Sequence, residues 1–427
     1  MNQIEDQKQT SNLTGYLIFL CGQWISILGS NIVNFAIIWF LALTTESEFV
    51  LGLSAFLAFM PFIIVTPIAG VFVDRWNRKK VIIFVDFMQA FFTLILITAF
   101  VSNLFTDIQL VVILLSLNFV RGIFGAFHTS ATDTLLPIMV PKDQLSRING
   151  MNYFVNAGIN IVGPVIAPIL LEIFPDIAQI LWLDVITFLL AILPTLIITI
   201  PKIVKKVEKN EKSSFQLEFK EGISFIIKTP GLFPLLLVFA GANFFLTPLF
   251  TQLAFFIKFI HGGQAQDFGL IAALQQTGLL IGSLIMTLWK GFRNHALGVS
   301  FGLFLGYLGL VIMLSAPIGF FIILGIGIFI TGFVLPVANV SSEAIWGATV
   351  PREVIGRVYA VRRTLAQVSA PVSMLLSGIL AELYGLTIIL WVTAILGLAV
   401  LGLTWFFTPL PEVEKRISIQ RSNTKNA

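Results

Sequence analysis

Long apolar runs recur along the whole chain, and charges, prolines and glycines are gathered in the short breaks between them. Runs bounded in this way cover residues 15–43, 50–73, 81–102, 108–130, 150–172, 178–200, 232–257, 267–289, 297–316, 319–341, 361–382 and 386–408. Crossing the hydrocarbon of a bilayer takes about 20 residues of helix, and each run meets that length. A membrane β-barrel would show segments of about ten residues with polar and apolar positions alternating, and these runs do not alternate. The pattern therefore predicts an all-α integral membrane protein with twelve transmembrane helices. Only one connection is long. Within residues 201–231, Phe215, Phe219, Ile223 and Ile226 recur at helical spacing with Glu218 and Glu221 between them. That spacing predicts an amphipathic helix on the membrane face. The resulting organisation is a six-helix bundle over 1–200, a linker with its amphipathic helix over 201–231, a second bundle over 232–410 and a tail over 411–427.

Composition agrees with the pattern: 57% of the 427 residues are hydrophobic, 11% are charged, and the mean hydropathy is +0.95. Soluble domains carry about 25% charged residues, so a soluble enzyme is excluded. The single cysteine, Cys21, excludes a disulfide framework, and three histidines without a cysteine cluster give no structural metal set. Met1 to Thr14 is polar and lacks the basic and apolar regions of a cleavable signal peptide. Charge placement adds orientation. All but two of the 26 lysines and arginines fall on one side of a twelve-span chain; Lys258 lies in an opposite loop and Arg121 lies within span 4. The positive-inside rule then places both termini in the cytoplasm. The net charge of +4 reads as a topology signal, and no nucleic-acid partner is implied.

The two halves repeat one another. Thr132-Asp133, Val140-Pro141-Lys142-Asp143 and Arg147 return 210 positions later as Ser342-Glu343, Val350-Pro351-Arg352-Glu353 and Arg357, and Glu172 returns as Glu382. Six spans per unit preserve orientation, so the repeat is parallel, about an axis along the membrane normal. Repeats of this kind enclose substrate sites in transporters.

At this point the sequence resembles the major facilitator superfamily. Gly70 to Lys80, with Asp74, Arg75, Arg78, Lys79 and Lys80, looks like that family's loop between spans 2 and 3. Arg121 with Gly125 resembles its span-4 motif, and Gly163-Pro164 with Ala167-Pro168 resembles the span-5 motif of exporters. Leu136-Pro137, Arg147 to Gly150, Glu221-Gly222 and Pro230-Gly231 are similar to the macrolide and siderophore efflux branch, in which drug is exchanged for protons. The resemblance implies a multi-pass transporter of the cell membrane, working by alternating access. It further implies an amphipathic small-molecule substrate, protons and membrane lipids as partners, a monomer, and no cofactor. No Walker-type phosphate loop is present, no catalytic set is expected, and the protein is not an enzyme. An exporter of a siderophore or a lipid-like metabolite, and a receptor or scaffold that does not transport, are the alternative readings.

Candidate residues follow. Asp74 can accept from a neighbouring helix N-terminus, and the fork of Arg78 suits a carboxylate, with Asp133 at a matching depth. Gly70, Asp74, Arg75, Arg78 and Asp133, with Glu343 and Arg357 from the repeat, form the expected gate; a basic loop that only sets topology is the simpler reading. Arg121 sits where an unpaired guanidinium is costly, which makes Asp86 and Asp184 its candidate partners and the three together the candidates for proton coupling. A fixed buried ion pair fits the same residues. Gln23, Asn31 and Asn34 in span 1, Asn156 and Asn160 in span 5, Asn243 and Thr247 in span 7 and Gln275 in span 8 are the substrate-binding candidates; in the resembled fold these spans line the central cavity. Interhelical hydrogen bonding is the plainer role for such amides. His128 receives no role.

Overall fold

The computed structural model describes residues 12–174, 176–200, 215–289, 291–351 and 353–413. Residues 1–11, Pro175, residues 201–214 of the linker, Lys290, Arg352 and the tail after residue 413 fall outside the described residues. Twelve helices long and apolar enough to cross a membrane are present among those described. They are α1 (Leu13–Thr45), α2 (Glu48–Arg75), α3 (Arg78–Val101), α4 (Asp107–Asp133), α5 (Leu145–Ile173), α6 (Ile177–Ile197), α7 (Leu232–Thr251), α8 (Ala265–Leu288), α9 (His295–Leu314), α10 (Phe321–Thr349), α11 (Ile355–Tyr384) and α12 (Leu386–Phe407).

Several helices run past the apolar runs that announce them: α5 begins at Leu145, α10 continues to Thr349 and α11 begins at Ile355. Backbone hydrogen bonding does not stop at the edge of the hydrocarbon, so polar residues extend a helix that hydropathy would end. Span 7 shows the opposite. The apolar run reaches residue 257, yet the helix stops at Thr251 and the chain continues through a short turn, Leu253–Phe255, and a π-helical turn, Phe256–Ile260. Pro248 removes one ladder donor there, and Gln252 leaves helical geometry, its Nε2 donating to the Glu48 carbonyl at 2.9 Å.

Local chemistry fixes the ends. Asn77 caps α3 by accepting from the Lys80 amide, Thr106 and Gln109 form a capping box on α4, Asp176 caps α6, and Asn294 caps α9. Lys79 donates to the carbonyls of Leu196 and Ile198 at 2.7 and 2.8 Å, closing the C-terminal end of α6. Gly231 precedes α7 at φ +86°, which an L side chain rarely adopts.

The chain divides into two compact units, one drawn from Met1–Ile37, Leu57–Gly163 and Leu170–Lys209, the other from Ile38–Phe56, Pro164–Ile169 and Asn210–Ala427. In the first, α3 packs against α4 and α6, over a core that includes Phe19, Val73, Ile82, Leu135 and Met139. Phe84, Phe87, Phe91 and Ile95, spaced along one face of α3, are exposed; in a membrane helix such a stripe faces lipid.

In the second unit, α10 packs against both α8 and α9. The small residues of α9 supply the close approach: Gly302 abuts Ala338 and Val334, and Gly309 abuts the Gly327 carbonyl. Without hydrophobic driving force between helices, such contacts carry the association. The amphipathic helix Phe215–Lys228 docks on α11. Ile226 is buried with Val358 and Val361, Gly222 lies against the Arg357 carbonyl, and Glu221 is ion-paired with Arg357. At the far end of α11, Glu382 accepts from the Ser47 hydroxyl at 2.8 Å and the Phe49 amide at 3.2 Å, capping α2. Gly52 and Gly378 bring the same two helices into backbone contact.

Candidate functional site

Two pockets occupy equivalent places in the repeat. The first, of about 510 Å³, belongs to the first unit and is lined from α1 by Gln23 and Trp24, from α4 by His128, Thr129, Thr132 and Asp133, and from α5 by Asn149, Asn152, Tyr153 and Asn156. The second, of about 720 Å³, belongs to the second unit and is lined from α7 by Phe239 and Asn243, from α10 by Asn339 and Glu343, and from α11 by Tyr359, Arg362, Arg363 and Ala366. The offset of 210 residues carries Thr129, Asp133, Asn149, Asn152, Tyr153 and Asn156 onto Asn339, Glu343, Tyr359, Arg362, Arg363 and Ala366. Each half thus builds one pocket from its first, fourth and fifth helices.

The chemistry of the two pockets differs. In the first, Asn152 accepts from the Trp24 indole at 2.9 Å and from Asn156, which also donates to the Asn152 carbonyl at 2.8 Å. Gln23 is buried, and its Nε2 has no hydrogen-bond partner among the described residues. A buried amide without a partner costs roughly 1–3 kcal/mol, so it is a group ready to bind. In the second, Glu343 pairs with Arg362 at 2.6 Å and accepts from Tyr359 at 3.4 Å, and the Arg362 guanidinium lies over the Trp346 and Tyr359 rings. Asn243 donates to the Ala366 carbonyl at 2.8 Å, and Thr247 donates to the Asn243 carbonyl. Arg363 lines the pocket with no ion-pair partner among the described residues.

The first unit also holds two buried ionic groups. Arg121 donates to Asp184 at 3.0 Å and to Gln89 at 3.1 Å. Asp184 is fully buried and also accepts from Ser30 and Thr93, each at 2.8 Å. Both its oxygens are engaged, an arrangement suited to a fixed brace among α1, α3, α4 and α6. The second group is Asp86, 1% exposed, which meets the His128 Nε2 at 3.1 Å, while its other oxygen is buried without a hydrogen-bond partner among the described residues. His128 reaches into the pocket from the same pair.

The other sequence candidates separate. Asn31 donates to Asn160 at 2.8 Å, joining α1 to α5. Asn34 is exposed, and the Gln275 backbone carbonyl abuts Gly332. Sequence depth suggests Asp133 as the partner of Arg78; the structure pairs Arg78 with Asp74 at 3.3 Å, four residues earlier across the break between α2 and α3, and places Asp133 in the first pocket. Their closeness in the chain decides it, because an i,i+4 pair across the α2–α3 turn needs no movement of a third helix. Gly70 has open space around it and Arg75 is exposed. Trp24, His128, Gln89, Tyr359, Arg362 and Arg363 carry no candidate role in the sequence reading. The repeat register held the signal for Tyr359 and Arg362, which fall 210 positions after the span-5 amides Asn149 and Asn152.

The Major Facilitator Superfamily model matches residues 19–264 and again residues 253–425. Macrolide efflux protein A of Streptococcus pyogenes is 28% identical over 365 residues, covering 85% of this chain and 88% of that protein. The protein of the same name from Enterococcus faecalis is 28% identical over 329 residues, covering 77% of this chain and 99% of that one. Among solved structures, a D-xylose–proton symporter superposes on 94% of this chain and 99% of its own, with a TM-score of 0.68 at 12% identity. That last likeness establishes fold alone.

Proposed function

The chain belongs to the major facilitator superfamily, and from that premise we propose that it exports amphipathic, macrolide-like small molecules from the cytoplasm in exchange for protons. It is a secondary transporter, a multi-pass protein of the cell membrane acting on small molecules and not an enzyme. Both termini lie in the cytoplasm in this reading, as the distribution of lysine and arginine requires. The chain works as a monomer, since each half already supplies its own pocket.

The pair of repeat-related pockets carries the reading. Neutral amides and aromatic rings, with few unpaired charges, suit a large substrate that is itself part apolar and part polar. Substrate contacts fall to Gln23, Asn156 and Asn243 at the pocket walls. The proton is carried by the Asp86–His128 pair, because the alternative carboxylate, Asp184, has every oxygen engaged. Asp74, Arg75 and Arg78 act at the cytoplasmic gate between α2 and α3.

The test is macrolide accumulation in proteoliposomes with an imposed pH gradient. Uptake should follow the gradient and vanish when it is collapsed, and His128→Gln should leave macrolide bound but its movement independent of the gradient. Flux unchanged by collapsing the gradient would remove proton antiport. One observation favours a second substrate class: Arg363, unpaired in the second pocket, suits a carboxylate-bearing metabolite of siderophore type. Competition of macrolide transport by a carboxylate siderophore, lost in Arg363→Gln, would select that reading.

A further inference from the structure

The loop between α2 and α3 holds four cations, and the fold uses only two of them. Arg78 is paired with Asp74, and Lys79 closes α6 through two carbonyls. Arg75 and Lys80 have no ion-pair partner among the described residues. Both line one cavity of about 730 Å³ in the first unit, whose remaining wall, apart from Asn77, is apolar and chiefly aromatic, with Trp76, Phe84, Phe124 and Phe127. The rings are ordered against one another, Trp76 stacked on Phe127 with centroids 6.1 Å apart and Phe84 beside Phe124 at 6.1 Å. Phe84 also begins the exposed stripe of α3 that continues through Phe87 and Phe91. The cavity therefore opens on the lipid-facing side of the bundle at the level where α2 ends and α3 begins.

We propose that this cavity is a binding site for an anionic phospholipid of the adjacent leaflet, its phosphate held between Arg75 and Lys80 and an acyl chain laid over the Trp76, Phe84, Phe124 and Phe127 rings. Charge complementarity selects the occupant. Two cations left over by the fold, at the edge of the hydrocarbon, match a negative headgroup, and the aromatic wall matches a chain that a soluble phosphate lacks. A zwitterionic lipid fits the slot and gains nothing net from the cations. That the leaflet is the inner one rests on the orientation proposed above; the site itself does not.

Trp76 supplies the probe. In detergent micelles, brominated phosphatidylglycerol and brominated phosphatidylcholine are titrated into the full-length protein. The fluorescence of Trp76→Phe is subtracted to isolate quenching of Trp76 from that of the other tryptophans. Phosphatidylglycerol should quench that component at lower mole fraction than phosphatidylcholine, and Lys80→Gln should weaken the preference about fivefold, the share of one cation near a charged surface. Lys80→Arg should keep it. Equal quenching by the two lipids, or a preference untouched by Lys80→Gln, overturns the proposal. Should Trp76→Phe fail to fold, native mass spectrometry of the wild type and Lys80→Gln counts retained phosphatidylglycerol, and equal retention overturns it likewise. No transport is measured, so a failure of the efflux reading and a failure of this site are seen separately.

Discussion

Asp184 and Asp86 are both buried carboxylates within the first six spans, and their partners set them apart. Asp184 accepts from Ser30, Thr93 and Arg121, so its charge is fully answered. Arg121→Met leaves that charge buried and unpaired, which should cost about 3–5 kcal/mol, whereas Arg121→Met with Asp184→Leu should regain most of it. Thermal melting in detergent checks this; equal melting of the single and double variants would show that the pair braces nothing. Asp74 is half-exposed and pairs with Arg78 at the membrane edge, so Asp74→Asn should insert and fold normally while losing transport. Normal efflux by well-expressed Asp74→Asn would reduce the loop to a topology signal. Sequence alone identified Asp86, Arg121 and Asp184 as worth attention, because charge within an apolar run is rare, and Asp74 through the loop it shares with Arg75 and Arg78. It could not distribute the partners, since residues from α1, α3, α4 and α6 meet only after packing.

At the scale of elements, close helix contacts were legible where glycines recur, as along α9, and hidden where a single glycine meets another helix. Gly52 and Gly378 are such a pair: a side chain at Gly52 would meet the Met374 carbonyl at 2.5 Å and the Gly378 backbone at 3.0 Å. Gly52→Val should therefore part the start of α2 from α11. With Cys21 replaced by Ala and a cysteine placed at Ser47, labelling by a membrane-impermeant maleimide should rise; unchanged labelling would show that the contact tolerates a larger residue. The turn after α7 gives a pH dependence. His261 is buried there, outside the spans, and burial holds its imidazole below the ordinary value of 6.5, against the pull of a hydrogen bond with the Pro317 backbone. The docked turn favours neutral histidine, so its stability is present above pH 6.5 and is lost as the pH falls below it. The protection of amides across residues 256–264, taken relative to the intrinsic exchange rate at each pH, should fall between pH 7.5 and pH 5, and His261→Phe should abolish the fall.

For the whole molecule, the repeat preserves pocket positions and divides the chemistry. The 210-residue offset places Thr331 opposite Arg121 and Ala338 opposite His128, so both buried ionic groups described above belong to the first half. The second half instead presents Arg362 and Arg363 at its pocket. Proton coupling should accordingly respond to substitution in the first pocket and substrate choice to substitution in the second. Arg363→Gln should alter which compounds compete for transport while leaving the response to the pH gradient intact; loss of the gradient response in that variant would join the two roles. What the sequence determined by itself was the number of spans, their class, the repeat and the short inventory of charged residues within apolar runs, because hydropathy, spacing and charge are properties of neighbours along the chain. Only the tertiary structure decided that Asp184 has both oxygens engaged while Asp86 keeps an open oxygen, that Arg78 turns to Asp74, and that Arg75 and Lys80 share a cavity with aromatic walls. Those facts depend on which helices touch, and a side chain's unused hydrogen-bonding capacity exists only once its surroundings are filled.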